Sequence, residues 1–284
     1  MTNQEPPRIF DRRLYARRRA RVSAAFDDHD FLHRRAMADV VDRLETVKRE
    51  FPRALFYGVG DLCDMLTPEC AVGEIIHADL SAARLPSNSG RLVYDEEAAP
   101  FKAQSFNLIV SLLTLHHAND LVGALAQMRA MLKPDGLMLA VLFGEETLSS
   151  LRSALYNAEA AVAGGVSPRI APFASVRDLG ACLQRAGLAL PVADLDSVTV
   201  SYKTPMRLFT DLRGMGETNI LRQRGKPITR EIIARALSEF QNNGSEARFD
   251  LVTLTGWAPH ESQQKPLKPG SATASMEGAV KKKL

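Results

Sequence analysis

The chain is expected to adopt a doubly wound α/β fold: a mostly parallel, seven-stranded sheet with a helical insertion before its last strand. Three observations carry this. Leu55-Phe56-Tyr57-Gly58-Val59-Gly60 is a short apolar run followed by two glycines one residue apart, as when a first strand turns into a nucleotide-type loop. Further apolar runs then alternate with segments of helical spacing, the mark of βαβ units. Phe106 to Leu115 is a long apolar stretch, suited to a strand buried on both faces of a parallel sheet.

In chain order, the first helix with clear periodicity runs from Phe31 to Val47, with apolar residues at Leu32, Ala36, Val40, Leu44 and Val47. Phe51-Pro52 ends it, because proline disfavours helix in the residue before it. The first strand is Ala54–Val59, and a helix is expected from Leu62 towards Glu69. Glu74–Leu80 and Arg91–Asp95 are the second and third strands, and Phe106–Leu115 is the fourth. A helix follows over Asn119–Leu132, with Asn119 as its N-cap. Lys133-Pro134-Asp135-Gly136 reads as a turn, and Leu137–Phe143 as the fifth strand. Helices are expected over Thr147–Ala163 and Ser175–Ala186, then a strand over Asp194–Tyr202. The helix-rich insertion occupies about 204–247, ahead of the last strand, Phe249–Trp257.

This divides the chain into a basic helical extension (1–50), the α/β domain (51–262) and a flexible tail rich in Pro, Ser, Gly and Lys (263–284). Of 284 residues, 45% are hydrophobic and 24% charged, the composition of a soluble globular protein. A net charge of +3 names no polyanionic partner, so nucleic acid is not expected. Three scattered cysteines suit a reducing compartment and no disulfide framework. No apolar run is long enough to span a membrane. The extension carries seven arginines between Arg8 and Arg21. They read as a solvated basic helix, or as a patch docking an acidic or membrane-bound partner. A targeting segment fits less well, since Glu5 and Asp11 interrupt it.

Ligands of open α/β sheets bind outside the carboxyl ends of the strands. Gly58 and Gly60 end the first strand there, Asp79 and Leu80 the second, and Asp95 and Glu96 follow the third. Leu112, His116 and His117 close the fourth, with Asn119 just beyond. Asp79 can accept from two ribose hydroxyls and Asp95 from an adenine amine, with Leu80 and Leu112 flanking the ring. No lysine follows the glycines, so this is not a P-loop. Side chains alternate along a strand, so His116 and His117 are not expected to face one point. No metal set is expected; one histidine would line a substrate pocket, with Asn119 also on the substrate side.

The Gly58–Gly60 loop, Ala78-Asp79-Leu80, Asp95-Glu96-Glu97, Phe106-Asn107-Leu108-Ile109-Val110 and Leu132-Lys133-Pro134-Asp135-Gly136 together resemble class I S-adenosylmethionine (SAM) methyltransferases, a Rossmann-like fold. A narrower resemblance covers nearly the whole chain. Ile9-Phe10-Asp11-Arg12, Ser167-Pro168 to Pro172-Phe173, Asp178-Leu179-Gly180, Asp211 to Asn219, Gly256-Trp257 and His260 to Gln263 are similar to the respiratory complex I assembly factor 5 family. That resemblance implies hydroxylation of an arginine on a peripheral-arm subunit of complex I, with any membrane contact made through the complex. Members of that family are mostly mitochondrial with a targeting segment; only eight residues precede the family-like start here, so the bacterial cytoplasm is expected, with the mitochondrial matrix as alternative. Two departures stand out. Phe56 replaces the usual acidic residue before the loop, and Leu62 replaces its third glycine. Two other readings remain: a conventional SAM-dependent methyltransferase acting on a small molecule or carrier-bound acyl group, and a non-catalytic assembly chaperone. The catalytic residues themselves are not assigned.

Overall fold

The computed structural model describes residues 8–87 and 90–264. The expectations for residues 1–7 and for the tail from 265 lie outside the described residues. The sheet contains β1 (Phe51–Tyr57), β2 (Val72–Asp79), β3 (Arg91–Val93), β4 (Phe106–Leu112), β5 (Leu132–Phe143), β6 (Ala189–Ser201) and β7 (Glu246–Trp257). Its order is β3-β2-β1-β4-β5-β7-β6. The first five strands are parallel, and β7 runs antiparallel between β5 and β6. Strand order reverses between β1 and β4, which places the crevice for a ligand beyond their carboxyl ends.

The helices are α1 (Arg12–Val22), α2 (Phe31–Thr46), α3 (Leu121–Met131), α4 (Ser149–Ala163), α5 (Val176–Arg185), α6 (Pro205–Met215) and α7 (Arg230–Asn242). One sheet face packs against α2, α4, α6 and α7, the other against α3 and α5. This explains why β4 is apolar on both faces: Leu108, Val110 and Leu112 serve the first core, Phe106 and Ile109 the second. In α2 the stripe Leu32, Ala36, Met37, Val40 and Leu44 is buried, as its spacing requires. The helical insertion lies between β6 and β7 as α6 and α7. No helix among the described residues is long and apolar enough to cross a membrane.

Four local expectations need correction. The helix expected after β1 is replaced by two short 3-10 turns, Gly60–Met65 and Pro68–Cys70. Pro68 forces Thr67 into an extended conformation, which stops a helix from growing through it. β4 ends at Leu112, and Leu113 turns the chain with φ +48°. The N-cap of α3 is Asp120, whose Oδ1 accepts from the Gly123 amide at 2.8 Å; Asn119 lies one residue too early. Residues 133–136 are the irregular start of β5, with Asp135 at φ +62° and a register shift opposite Phe106 and Leu108.

Candidate active site

The glycine loop keeps its sharp geometry. Gly58 has φ +74° and Gly60 φ +60°, values that favour glycine. A Cβ on Gly58 would lie 2.5 Å from Thr114 Cγ2 and 2.8 Å from the Leu112 carbonyl oxygen. A Cβ on Gly60 would lie 3.1 Å from the Arg84 carbonyl oxygen. The close approach these glycines permit is therefore made by the chain's own backbone. Phe56 and Leu62, the two departures, are buried in the core under α2.

The N-terminal segment lies across the rim. Phe10 bridges to Leu221, the Asp11 amide donates to the Ile220 carbonyl (2.8 Å), and the Arg222 amide to the Ile9 carbonyl (2.9 Å). Asp11 caps α1 by accepting from the Leu14 amide at 2.9 Å. Arg12, Tyr15 and Arg19 share one face of α1, since residues three and four apart on a helix are neighbours. Arg19 donates from Nε to Asp79 Oδ1 (3.0 Å) and from Nη2 to Asp79 Oδ2 (2.5 Å). The Ser81 amide gives Asp79 a third bond at 2.8 Å. Arg12 Nη2 donates to Asp95 Oδ1 (2.9 Å) and Glu96 Oε2 (2.6 Å). Burial opposes both charges. For Arg19 the charge of Asp79 outweighs it, and for Arg12 the charges of Glu96 and Asp95 do, so both guanidiniums sit above their ordinary value. Only 1% of Arg19 is exposed. The extension is thus not simply a solvated basic helix: Arg13, Arg17 and Arg21 face outward, but Arg12 and Arg19 are built into the rim.

These contacts bear directly on a cofactor. The carboxylates expected to take ribose and adenine, Asp79 and Asp95 with Glu96, already hold guanidiniums. Leu80 packs against the apolar cluster that contains Phe10 and Tyr15 of the N-terminal segment. Leu112 is fully buried in the core under α2, so its expected place beside an adenine ring is corrected. With α1 seated, SAM would have to displace Arg12 and Arg19 to reach these carboxylates.

His116 and His117 lie on a 3-10 turn, Leu115–His117, not on the strand end assumed from sequence. Strand alternation therefore does not apply, and both rings reach Glu217. His116 Nε2 lies 3.1 Å and His117 Nε2 3.7 Å from Glu217 Oε2. Glu217 follows α6 directly, where Gly216 at φ +84° reverses the chain. The Phe10 and Tyr15 rings sit edge-on to His117 at 5.4 and 4.7 Å. The His116 ring is 4.8 Å from that of Phe143. Burial first, then the neighbouring His116 and Arg12, hold His117 well below its ordinary pKa, so it is neutral at physiological pH. Asn119 Oδ1 accepts from the Phe10 amide at 2.8 Å, so Asn119 anchors the N-terminal segment. His117 and Glu217 line a cavity of about 230 Å³ whose other walls include Phe143, Phe173, Leu212 and Phe249. Sequence reasoning did not single out Glu217. Its signal was an acidic residue beside a glycine within Asp211 to Asn219, a segment outside the shared fold.

The strand order, the antiparallel β7 and the carboxylates at the ends of β2 and β3 define a class I methyltransferase-type domain. A family model described as a methyltransferase domain matches residues 29–191. The YcgJ protein of Bacillus subtilis has the same fold, with a TM-score of 0.53 at 15% identity over 80% of this chain and all of that one (100%). Arginine-hydroxylase NDUFAF5, mitochondrial, of Danio rerio is 35% identical over 283 residues, covering 94% of this chain and 88% of that protein. The malonyl-[acyl-carrier protein] O-methyltransferase of Gallionella capsiferriformans is 25% identical over 88% of this chain and 92% of its own length. The chain belongs to the arginine-hydroxylase NDUFAF5 family.

Proposed function

We propose that this protein hydroxylates an arginine side chain of a protein client, a peripheral-arm subunit of respiratory complex I, during assembly of the complex. The observation that carries this reading is the engagement of Asp79, Asp95 and Glu96 by Arg19 and Arg12. It removes the anchors a methyl donor would need, while the cavity beside His117 and Glu217 stays open. The apolar walls of that cavity suit the methylene stem of an arginine, and His117 and Glu217 are among its polar lining residues. The full-length relationship to arginine-hydroxylases supports the same chemistry. The carrier-protein methyltransferase is a more distant relative, at 25% identity.

SAM would enter only after Arg12 and Arg19 withdraw from the rim, so its affinity is expected to be low. The protein would work where the peripheral arm is built, in the bacterial cytoplasm or the mitochondrial matrix, and meet the membrane only through the complex. Mass spectrometry of peripheral-arm peptides from cells with and without this gene tests the reading. An arginine carrying one added oxygen only when the gene is present is the expected result. A methyl group there instead would favour the methyltransferase reading. An unmodified arginine in both, with assembly still lost, would favour a chaperone.

A further inference from the structure

Insertion of one atom of dioxygen into a saturated C–H bond needs a centre that activates the oxygen, and a two-electron reductant as co-substrate that takes the second atom to water. Imidazole and carboxylate side chains move protons and cannot by themselves deliver electrons to oxygen. This points back to the one place where three metal-ligating side chains meet.

We infer that His116, His117 and Glu217 form a binding site for a single divalent first-row transition-metal ion, iron(II) in its working state, on the wall of the cavity. The choice of iron rests on the hydroxylase reading; the site itself rests on geometry. Two imidazoles and one carboxylate are a donor set that holds such an ion and leaves coordination positions open. One donor atom from each residue lies within 4.8 Å of the other two, and among the described residues this is the only such group of His, Cys, Asp or Glu. Ligands about 2.0–2.2 Å from an ion place neighbouring donor atoms about 3.0–3.5 Å apart. The His116–Glu217 and His117–Glu217 separations of 3.1 and 3.7 Å are already close to that.

The polar bookkeeping agrees. The three side chains are only 2%, 3% and 6% exposed. Glu217 Oε1 and both Nδ1 atoms are buried with no hydrogen-bond partner among the described residues. Such orphans are costly, and a cation between the three side chains would compensate the carboxylate. Arg12 and Arg19 do not do so, because each is committed to its own carboxylates. With both Nδ1 atoms unpartnered, each ring can reorient towards an ion without breaking a bond at that nitrogen. The same feature means that no carboxylate or carbonyl steadies the rings from behind, which lowers affinity. Micromolar binding is the expectation. Two of the three ligands, His117 and Glu217, also line the cavity that would receive the arginine stem.

The test uses the full chain, stripped with a chelator and titrated anaerobically with cobalt(II), then with iron(II) in competition. Calorimetry and visible absorption should report one equivalent bound, with the ligand-field bands of nitrogen and oxygen coordination. Glu217→Gln and His116→Asn should each weaken binding tenfold or more, while His260→Asn, at an exposed position, should not. Circular dichroism checks the fold of each variant. Should Glu217→Gln not fold, Glu217→Asp takes its place and should shift the cobalt bands. No saturable binding, or binding indifferent to these substitutions, would mean that the group is only a hydrogen-bonded His–Glu pair and overturn the inference. Failure here leaves an oxygenated client arginine untouched. Metal binding without any oxygenated arginine would support the site and reject the hydroxylase reading.

Discussion

Replacing Arg19 by methionine isolates the contact on which the description of the rim depends. Methionine keeps much of the stem's volume and removes the charge. Asp79 would lose two of its three hydrogen bonds, keeping only the one from the Ser81 amide. Both partners are almost fully buried, with side chains 2% and 1% exposed. Breaking a buried pair from one side leaves an uncompensated charge and costs about 3–5 kcal/mol. That is a large fraction of a total stability of about 5–15 kcal/mol. Adding Asp79→Leu should recover part of the loss, because it removes the stranded carboxylate, although the Ser81 amide then lacks an acceptor at about 1–3 kcal/mol. Urea unfolding of the two single variants and the double variant gives the coupling energy directly. A coupling of about 2 kcal/mol or more fits the observed contact. If Arg19→Met cost under about 1 kcal/mol and the sites were additive, α1 would not be seated on the rim in solution, and Asp79 would be free to take a ribose.

Gly58→Ala should destabilise by about 1–3 kcal/mol without any cofactor present, because the new Cβ meets Thr114 and the Leu112 carbonyl at positive φ; chemical denaturation measures it. Calorimetry with SAM should detect little binding to the wild-type protein and tighter binding to Arg12→Gln, which frees Asp95 and Glu96; strong wild-type binding would contradict the occupied rim. His33 is fully buried and held well below the ordinary histidine value of 6.5, first by burial and then by Arg84 and Arg19. The unfolded chain takes up a proton below about pH 6.5 while folded His33 stays neutral. Stability therefore falls as the pH drops from there towards the folded value, by up to about 1.4 kcal/mol per pH unit from this group. His33→Gln should flatten the stability profile in that range; an unchanged slope would show that His33 is not buried as a neutral ring.

The sheet was legible because its signals are local. The apolar run of β4, the two glycines after β1 and the spacing of α2 each report the burial of their own segment. The site was legible only in part. Asp79, Asp95 and Glu96 were placed correctly at the strand ends, but their partners lie 60 to 84 residues away in the chain, beyond any local pattern. One clue was present: Arg12, Tyr15 and Arg19 recur on one helical face, and a tyrosine between arginines suggests a face that is not meant for water. The helix expected after Gly60 failed because Pro68 limits it while the glycines start it at positive φ. The histidine pair was misjudged by extending β4 three residues too far. Once Leu113 turns the chain, strand alternation no longer governs where the two rings point. Glu217 joins them through the helical insertion, which neither spacing nor composition links to β4.

The central claim is that this methyltransferase-type fold oxygenates an arginine instead of methylating it. The most direct measurement grows cells on methionine carrying deuterated methyl groups and under heavy-isotope dioxygen, then sequences the client arginine by tandem mass spectrometry. The expected result is one heavy oxygen on the arginine side chain and no deuterium, lost when this gene is deleted. A deuterated methyl group on that arginine, with no heavy oxygen, would contradict the account.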